Sequence, residues 1–208
     1  MTRPTTRTAF LAAALAGATA LTACAPLLVG GAMLGGTLMV TDRRTSGMQI
    51  EDQAIELKAN NRIREVIGDR GHVKTTSYNR MVLITGSVQN DADKAAVEQT
   101  VVRVENVRSV VNELEIIGAS SLTSRSNDAI LTSKVKATFV DARDLFATAF
   151  KIVTERGTVY LMGRVTEREA NRAAELARSV GGVQKVVKVF DVISEAELAE
   201  LHSKTPAK

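Results

Sequence analysis

The chain has 208 residues, 45% of them hydrophobic and 24% charged, with a formal net charge of +4. That balance excludes a collagen-like, a fully disordered or a polytopic membrane protein, and leaves room for one large domain or two small ones. With 3% aromatic residues and no Trp, neither a base-stacking nucleic-acid surface nor an aromatic sugar platform is supported, and no nucleic-acid partner is expected. The single Cys gives no disulfide framework, and together with the distant His72 and His202 it makes no metal-ligand cluster, so neither a metal nor a cofactor is expected.

Arg3 and Arg7 open the chain, an apolar run of signal-peptide length follows from Ala9 to Ala20, and Leu21-Thr22-Ala23-Cys24 comes next. The small residues at 22 and 23 suit a peptidase cleft, and the Cys24 sulfur is positioned for acylation at a new amino terminus; the tetrad has the form of a bacterial lipobox. Residues 1–23 therefore read as a lipoprotein signal peptide, with Cys24 lipidated. Two of the 27 basic residues, Arg3 and Arg7, leave with that leader, so +4 overstates the mature charge by two. The resemblance to lipoproteins of this type implies three acyl chains on Cys24. Because Ala25 rather than Asp follows, it also implies a place in the inner leaflet of the outer membrane, with the protein body in the periplasm. One acyl chain holds a membrane only marginally at about 0.8 kcal/mol per buried methylene, whereas two or more anchor it stably.

From Ala25 to Val40 the chain is uncharged but short of the ~20 residues that span a bilayer, and its glycines weaken any helix. Residues 24–49 read as the acylated Cys and a Gly-rich tether at the lipid surface. An ordered segment packed on a partner is the alternative.

The remainder is an internal repeat. Met81-Val82-Leu83-Ile84-Thr85-Gly86-Ser87-Val88 is mirrored by Thr158-Val159-Tyr160-Leu161-Met162-Gly163-Arg164-Val165; Val110-Val111 is mirrored by Val186-Val187, and Asp52 with Ile55 by Asp128 with Leu131. Each copy predicts a helix (Glu51 to Ile67; Asp128 to Asp141) with apolar residues at helical spacing, Ile55, Ala59 and Ile63 in one and Leu131, Val135 and Phe139 in the other. Two strands follow in each, Val73 to Tyr78 with Met81 to Val88, and Phe150 to Glu155 with Thr158 to Val165. They are joined by the hairpin turns Asn79-Arg80 and Arg156-Gly157. A second helix comes next, announced at Thr166 by a capping box with Glu169. A last strand closes each unit, Val107 to Ile117 and Val183 to Ile193. The fold class is α+β, each unit αββαβ with a three-stranded mixed sheet covered on one face by two helices. Units this small sit near the lower limit of independent folding, which favours packing of one on the other.

An αββαβ unit with apolar-x-apolar-x-Gly-x-Val at the end of its second strand, used twice behind a lipobox, resembles the BON-domain family, and within it the dual-BON outer-membrane lipoproteins. The matching stretches are Thr41-Asp42, Arg44, Gly47, Gln49 and Asp52; Ser126-Asn127-Asp128; and, most specific, Val159 to Ala170. The expected organisation is a first BON domain over residues 50–117, a linker over 118–125, a second BON domain over 126–194 and a tail over 195–208. In the tail, Ser194-x-x-Glu197 opens a short helix. The resemblance implies a non-enzymatic protein that supports outer-membrane integrity. It also implies binding of anionic phospholipids (phosphatidylglycerol and cardiolipin) through the first helix of the second domain, enrichment at the division site, and a link to the outer-membrane protein assembly machinery.

On a wheel of about 100° per residue from Ile130, the stripe Leu131, Val135 and Phe139 falls near 100° to 180°, while Ile130, Ser133, Ala137 and Val140 occupy the opposite face, with Lys134 and Lys136 at its edges. Apolar atoms there suit the acyl boundary, and Lys stems snorkel to phosphates. The equivalent positions of the first domain, Ala54, Leu57, Asn61 and Arg64, are more polar. The family has an aromatic anchor where this chain has Ile130, and Asp128, Asp141 and Asp144 dilute the positive field; both point to weaker binding that relies on avidity with the acyl anchor. The residues alone also allow Ile130 and Val140 to pack on the first domain or a nearby loop, and Leu145 and Phe146 to be either membrane-facing or core. The alternative function is a protein-docking module without direct lipid recognition. A nucleophile, base and orienting group in one motif are absent from the sequence, so no enzyme is expected.

Overall fold

The computed structural model describes residues 42–118 and 121–203, without the side chains of residues 202 and 203. The signal peptide, Cys24 and the tether lie outside the described residues. The first repeat contains α1 (Ser46–Ile67), β1 (Gly71–Tyr78), β2 (Met81–Val88), α2 (Asp91–Val102) and β3 (Ser109–Ile116). The second contains α3 (Leu122–Asp141), a 3-10 turn (Ala147–Ala149), β4 (Phe150–Glu155), β5 (Thr158–Val165), α4 (Glu167–Ser179) and β6 (Lys185–Val192), and α5 (Glu195–Ser203) ends the described chain. Each sheet is mixed: β1 pairs antiparallel with β2, and β2 parallel with β3, and the second sheet repeats the pattern. This is the α+β, twice-repeated αββαβ architecture that the sequence predicts.

Two helices start earlier than their apolar periodicity indicates. The α1 helix begins at Ser46, where the Thr45 hydroxyl accepts from the Met48 amide; α3 begins at Leu122, where the Ser121 hydroxyl accepts from the Ser124 amide. Each cap satisfies an amide that the first turn leaves open, and this extends the helix into sequence of weak helical propensity. Residues 122–125, read from the sequence as polar linker, are therefore helical. The capping boxes at Thr166 and Ser194 form as read, Glu169 and Glu197 each reaching back to the cap amide.

A carboxylate fastens each first helix to its hairpin. Both central residues of each turn are left-handed, Asn79 and Arg80 at φ 50° and 66°, Arg156 and Gly157 at 49° and 75°, the geometry that matches strand twist but strains residues other than Gly. Asp52 on α1 accepts from the amides of Asn79 and Arg80 (both 2.8 Å), the Ser77 hydroxyl (2.7 Å) and Arg44 (2.8 Å). Asp128 on α3 accepts from the amides of Arg156 and Gly157 (both 2.9 Å). These bonds offset the turn strain and fix each helix's rotation about its axis.

The repeated glycine of the second strand has a steric cause. A Cβ on Gly86 would lie 1.9 Å from the His72 carbonyl oxygen, and one on Gly163 would lie 2.5 Å from the Ala149 carbonyl oxygen. The hairpin strands approach too closely for a side chain there.

Every residue of β2 is buried because the sheet is covered on both faces. Val82 and Ile84 join Ile55, Ala59, Ile63, Val97 and Val101 under α1 and α2, while Met81 and Leu83 meet Tyr160, Met162 and Val189 of the second sheet. Across β5, Val159 and Leu161 pack beneath α3 and α4. The layer order is helices, sheet, sheet, helices. At the rim of the seam Lys151 donates to Glu56 (2.8 Å) and to the Ser77 carbonyl (3.1 Å), and Asp191 accepts from Asn79 (2.7 Å) and Arg108 (3.0 Å).

Burial raises the Asp52 carboxyl pKa, but the bonds from Ser77, the Arg80 amide, Arg44 and the Asn79 amide outweigh it and hold the group below its ordinary 3.8. Its stabilisation is therefore complete above that ordinary value and is lost as pH falls through the folded one. The melting temperature should drop on acidification from about pH 5 to about pH 3, with a flatter profile for Asp52→Asn. In urea unfolding, Asp52→Ala should cost about 3 kcal/mol and Asp128→Ala, with fewer donors to strand, about 2 kcal/mol.

Candidate functional site

The rotation of α3 is set from below. Leu131, Val135 and Phe139 are buried, Phe139 meets the Phe150 ring edge-on at 5.2 Å, and Phe150 meets Phe190 at 5.9 Å. Asp128 holds the turn on one side of the helix, and the Thr132 hydroxyl bonds that of Thr154 at 2.7 Å. With that stripe fixed inward, the opposite stripe faces solvent. Ile130 is 55% exposed and Val140 72%, and Ser133, Lys134, Lys136 and Ala137 are exposed with them. Packing of Ile130 and Val140 against the first domain or a loop is not what the chain adopts.

The hydroxyl on this face turns to the helix backbone. The Ser133 hydroxyl donates to the Ala129 carbonyl at 3.0 Å. Its methylene group is left toward the outer surface. Neither Lys134 nor Lys136 has an ion-pair partner among the described residues. A shallow groove bounded by Ala129, Ile130, Ser133, Lys134 and Ala137 runs along the helix.

Three details depart from the sequence reading. Leu122, 80% exposed, lies near 280° on the same wheel, beside Val140; it is missed because the periodic pattern starts later, and Ser121 as a cap was its one signal. Asp128 is buried beneath its turn, where the Arg156 and Gly157 amides take up its carboxylate oxygens. Asp144 is paired with Arg172 at 2.8 Å, and that hydrogen bond holds its carboxyl below the ordinary value. Of the three acidic residues, Asp141 alone stays exposed without such a pairing. Leu145 is in the core, whereas Phe146 is 52% exposed.

The first domain offers a contrast. On α1, Ile50 and Leu57 are exposed at 68% and 63%, Ala54 is half-buried between them, and the stripe ends in Asn61 and Arg64. The earlier helix start adds Ile50 to a face that the sequence presents as more polar. The layer order puts α1 and α3 on opposite outer faces. Among the described residues no helix is long and apolar enough to cross a membrane, and no cluster of His, Cys, Asp and Glu is arranged to hold a metal. His72 is exposed near the start of β1.

Two αββαβ units placed sheet to sheet, each with its hairpin clamped by a helix carboxylate and the first preceded by a lipidation motif, define a tandem-domain envelope lipoprotein. The BON domain family matches at residues 52–118 and 127–194, and the chain belongs to that family. It is 40% identical over 182 residues to the outer membrane lipoprotein DolP of Haemophilus influenzae, covering 86% of this chain and 93% of that protein. It is accordingly an outer-membrane lipoprotein with two BON domains, and this membership indicates a non-enzymatic protein. A 21 kDa hemolysin of Actinobacillus pleuropneumoniae is 29% identical over 73% of this chain and 79% of its own. The osmotically-inducible protein Y of Escherichia coli is 26% identical over 67% of this chain and 72% of its own.

Proposed function

We propose that this lipoprotein binds anionic phospholipid, phosphatidylglycerol and cardiolipin, through the outer face of α3, and that it supports outer-membrane integrity at the division site. The observation that carries this reading is the exposed apolar strip Leu122, Ile130, Ala137 and Val140 on one side of a rotationally fixed helix, with Lys134 and Lys136, which have no ion-pair partner among the described residues, at its edges. Such a face lies in the interface plane: apolar atoms enter the acyl boundary and the ammonium groups meet phosphates. The helix supplies a weak contact, and acyl chains on Cys24 supply the effective concentration that makes it productive. Isoleucine in place of an aromatic residue at 130 removes an interfacial anchor, so the helix depends on that second attachment.

A second reading, a protein-docking module linked to outer-membrane protein assembly, draws support from the exposed Ile50 and Leu57 on α1. That strip faces away from the side on which α3 would meet a leaflet, which leaves it open to a periplasmic protein.

The soluble form without the leader, Cys24 and the uncharged tether should sediment with phosphatidylglycerol vesicles, in a salt-sensitive manner, and much less with phosphatidylcholine vesicles. Ile130→Glu and Val140→Glu should each weaken that binding about tenfold or more, with unfolding free energies within about 0.5 kcal/mol of the parent because both sites are exposed. Undiminished binding by both variants would move the site off α3.

A further inference from the structure

The segment ahead of α1 reaches both domains through adjacent arginines. Arg44 serves the first: it donates to Asp52 (2.8 Å) and Asp42 (2.7 Å and 3.1 Å), and its guanidinium lies 4.1 Å over the Tyr78 ring. Arg43 serves the second. Its Nη1 and Nη2 donate to the two carboxylate oxygens of Glu169, both at 2.7 Å, and Nη1 also donates to the Arg164 carbonyl at 2.9 Å. Those side chains are 4% and 2% exposed, respectively. Glu169 is also the residue that closes the α4 capping box, accepting from the Thr166 amide at 3.0 Å. A charge pair this deeply buried persists because it is bidentate and its remaining acceptor sites are used.

By chain order, a membrane anchor at Cys24 is attached to the first domain, and the second domain hangs from the connection after β3. The Arg43 contact changes that wiring. We infer that Asp42–Arg44 is a strap that locks the two domains sheet to sheet and ties the chain arriving from the anchor directly to the second domain. The consequence for function rests on the lipid reading above: α3 is then held at a fixed position relative to the point where the tether joins the body, instead of swinging on a hinge. The effective concentration of its lipid face at the leaflet is set by the tether alone.

The chain has one Cys, so Cys24→Ser leaves a cysteine-free background. Spin labels at Gln99→Cys on α2 and Arg178→Cys on α4, both exposed positions on opposite outer layers, report the separation of the domains in solution by pulsed dipolar spectroscopy. The parent should give a single narrow distance distribution. Arg43→Ala should raise the population at longer, broader distances about tenfold. Glu169→Gln keeps a glutamine able to complete the capping box while losing the ion pair, and should shift the population in the same direction; it carries the test if Arg43→Ala impairs folding of the second domain. A distribution as narrow as the parent's in Glu169→Gln and in folded Arg43→Ala would overturn the strap. No lipid is present in this measurement, so failure of the lipid reading leaves its outcome intact.

Discussion

Each domain depends on one carboxylate, Asp52 or Asp128, projecting from its first helix to the amides of a left-handed hairpin turn. Without that acceptor the turn would strand two amides in a half-buried site and hold Asn79, Arg80 and Arg156 in a backbone region that side chains disfavour. With it, the helix is pinned both along its axis and about it. The remaining layout follows. Pinning α3 puts Leu131, Val135 and Phe139 into the core and leaves Ile130, Ala137 and Val140 outward. The exposed apolar strip of α3 is thus a by-product of how the hairpin is held. Rotation of the helix by even one residue position would bury part of the strip and expose core in its place.

The double-sided sheets account for the composition. A small αββαβ unit on its own has one buried sheet face; here Met81, Leu83, Tyr160 and Met162 bury the other by pairing the two units. At roughly 25 cal/mol per Å² of apolar surface removed from water, a second buried face is the larger source of stabilisation open to domains of this size. It also commits the geometry of the whole: once the sheets are joined, α1 and α3 must occupy opposite outer layers. Their two exposed faces therefore point to opposite sides of the body, and that follows from the seam as much as from either helix's own sequence.

Much of this was legible in the sequence. The repeat, the αββαβ order, the two hairpin turns, the capping boxes at Thr166 and Ser194, and the core stripe of α3 all have short-range signatures, and all appear as read. The early starts of α1 and α3 were not legible, because Ser46, Gly47 and the Ser- and Thr-rich turn after Ser121 carry neither apolar periodicity nor strong helical propensity, and neither cap has Glu at its third position. The partners of Asp128 are backbone amides in a turn nearly thirty residues away, which side-chain spacing does not reveal. The apolar run Met81 to Ile84 suits burial of β2 on both faces, but Thr85, Gly86 and Ser87 interrupt it. The Arg43–Glu169 pair, separated by 126 residues, has no local signature at all.

The proposed contact between anionic lipid and the outer strip of α3 is read out residue by residue in NMR of the soluble form, without leader, Cys24 and tether, titrated with phosphatidylglycerol or phosphatidylcholine nanodiscs. Such a contact should give amide shifts and line broadening centred on residues 122–140, with phosphatidylglycerol but not phosphatidylcholine, while α1 and the seam strands stay unperturbed. Perturbations centred on α1, or equal responses to the two lipids, would contradict it.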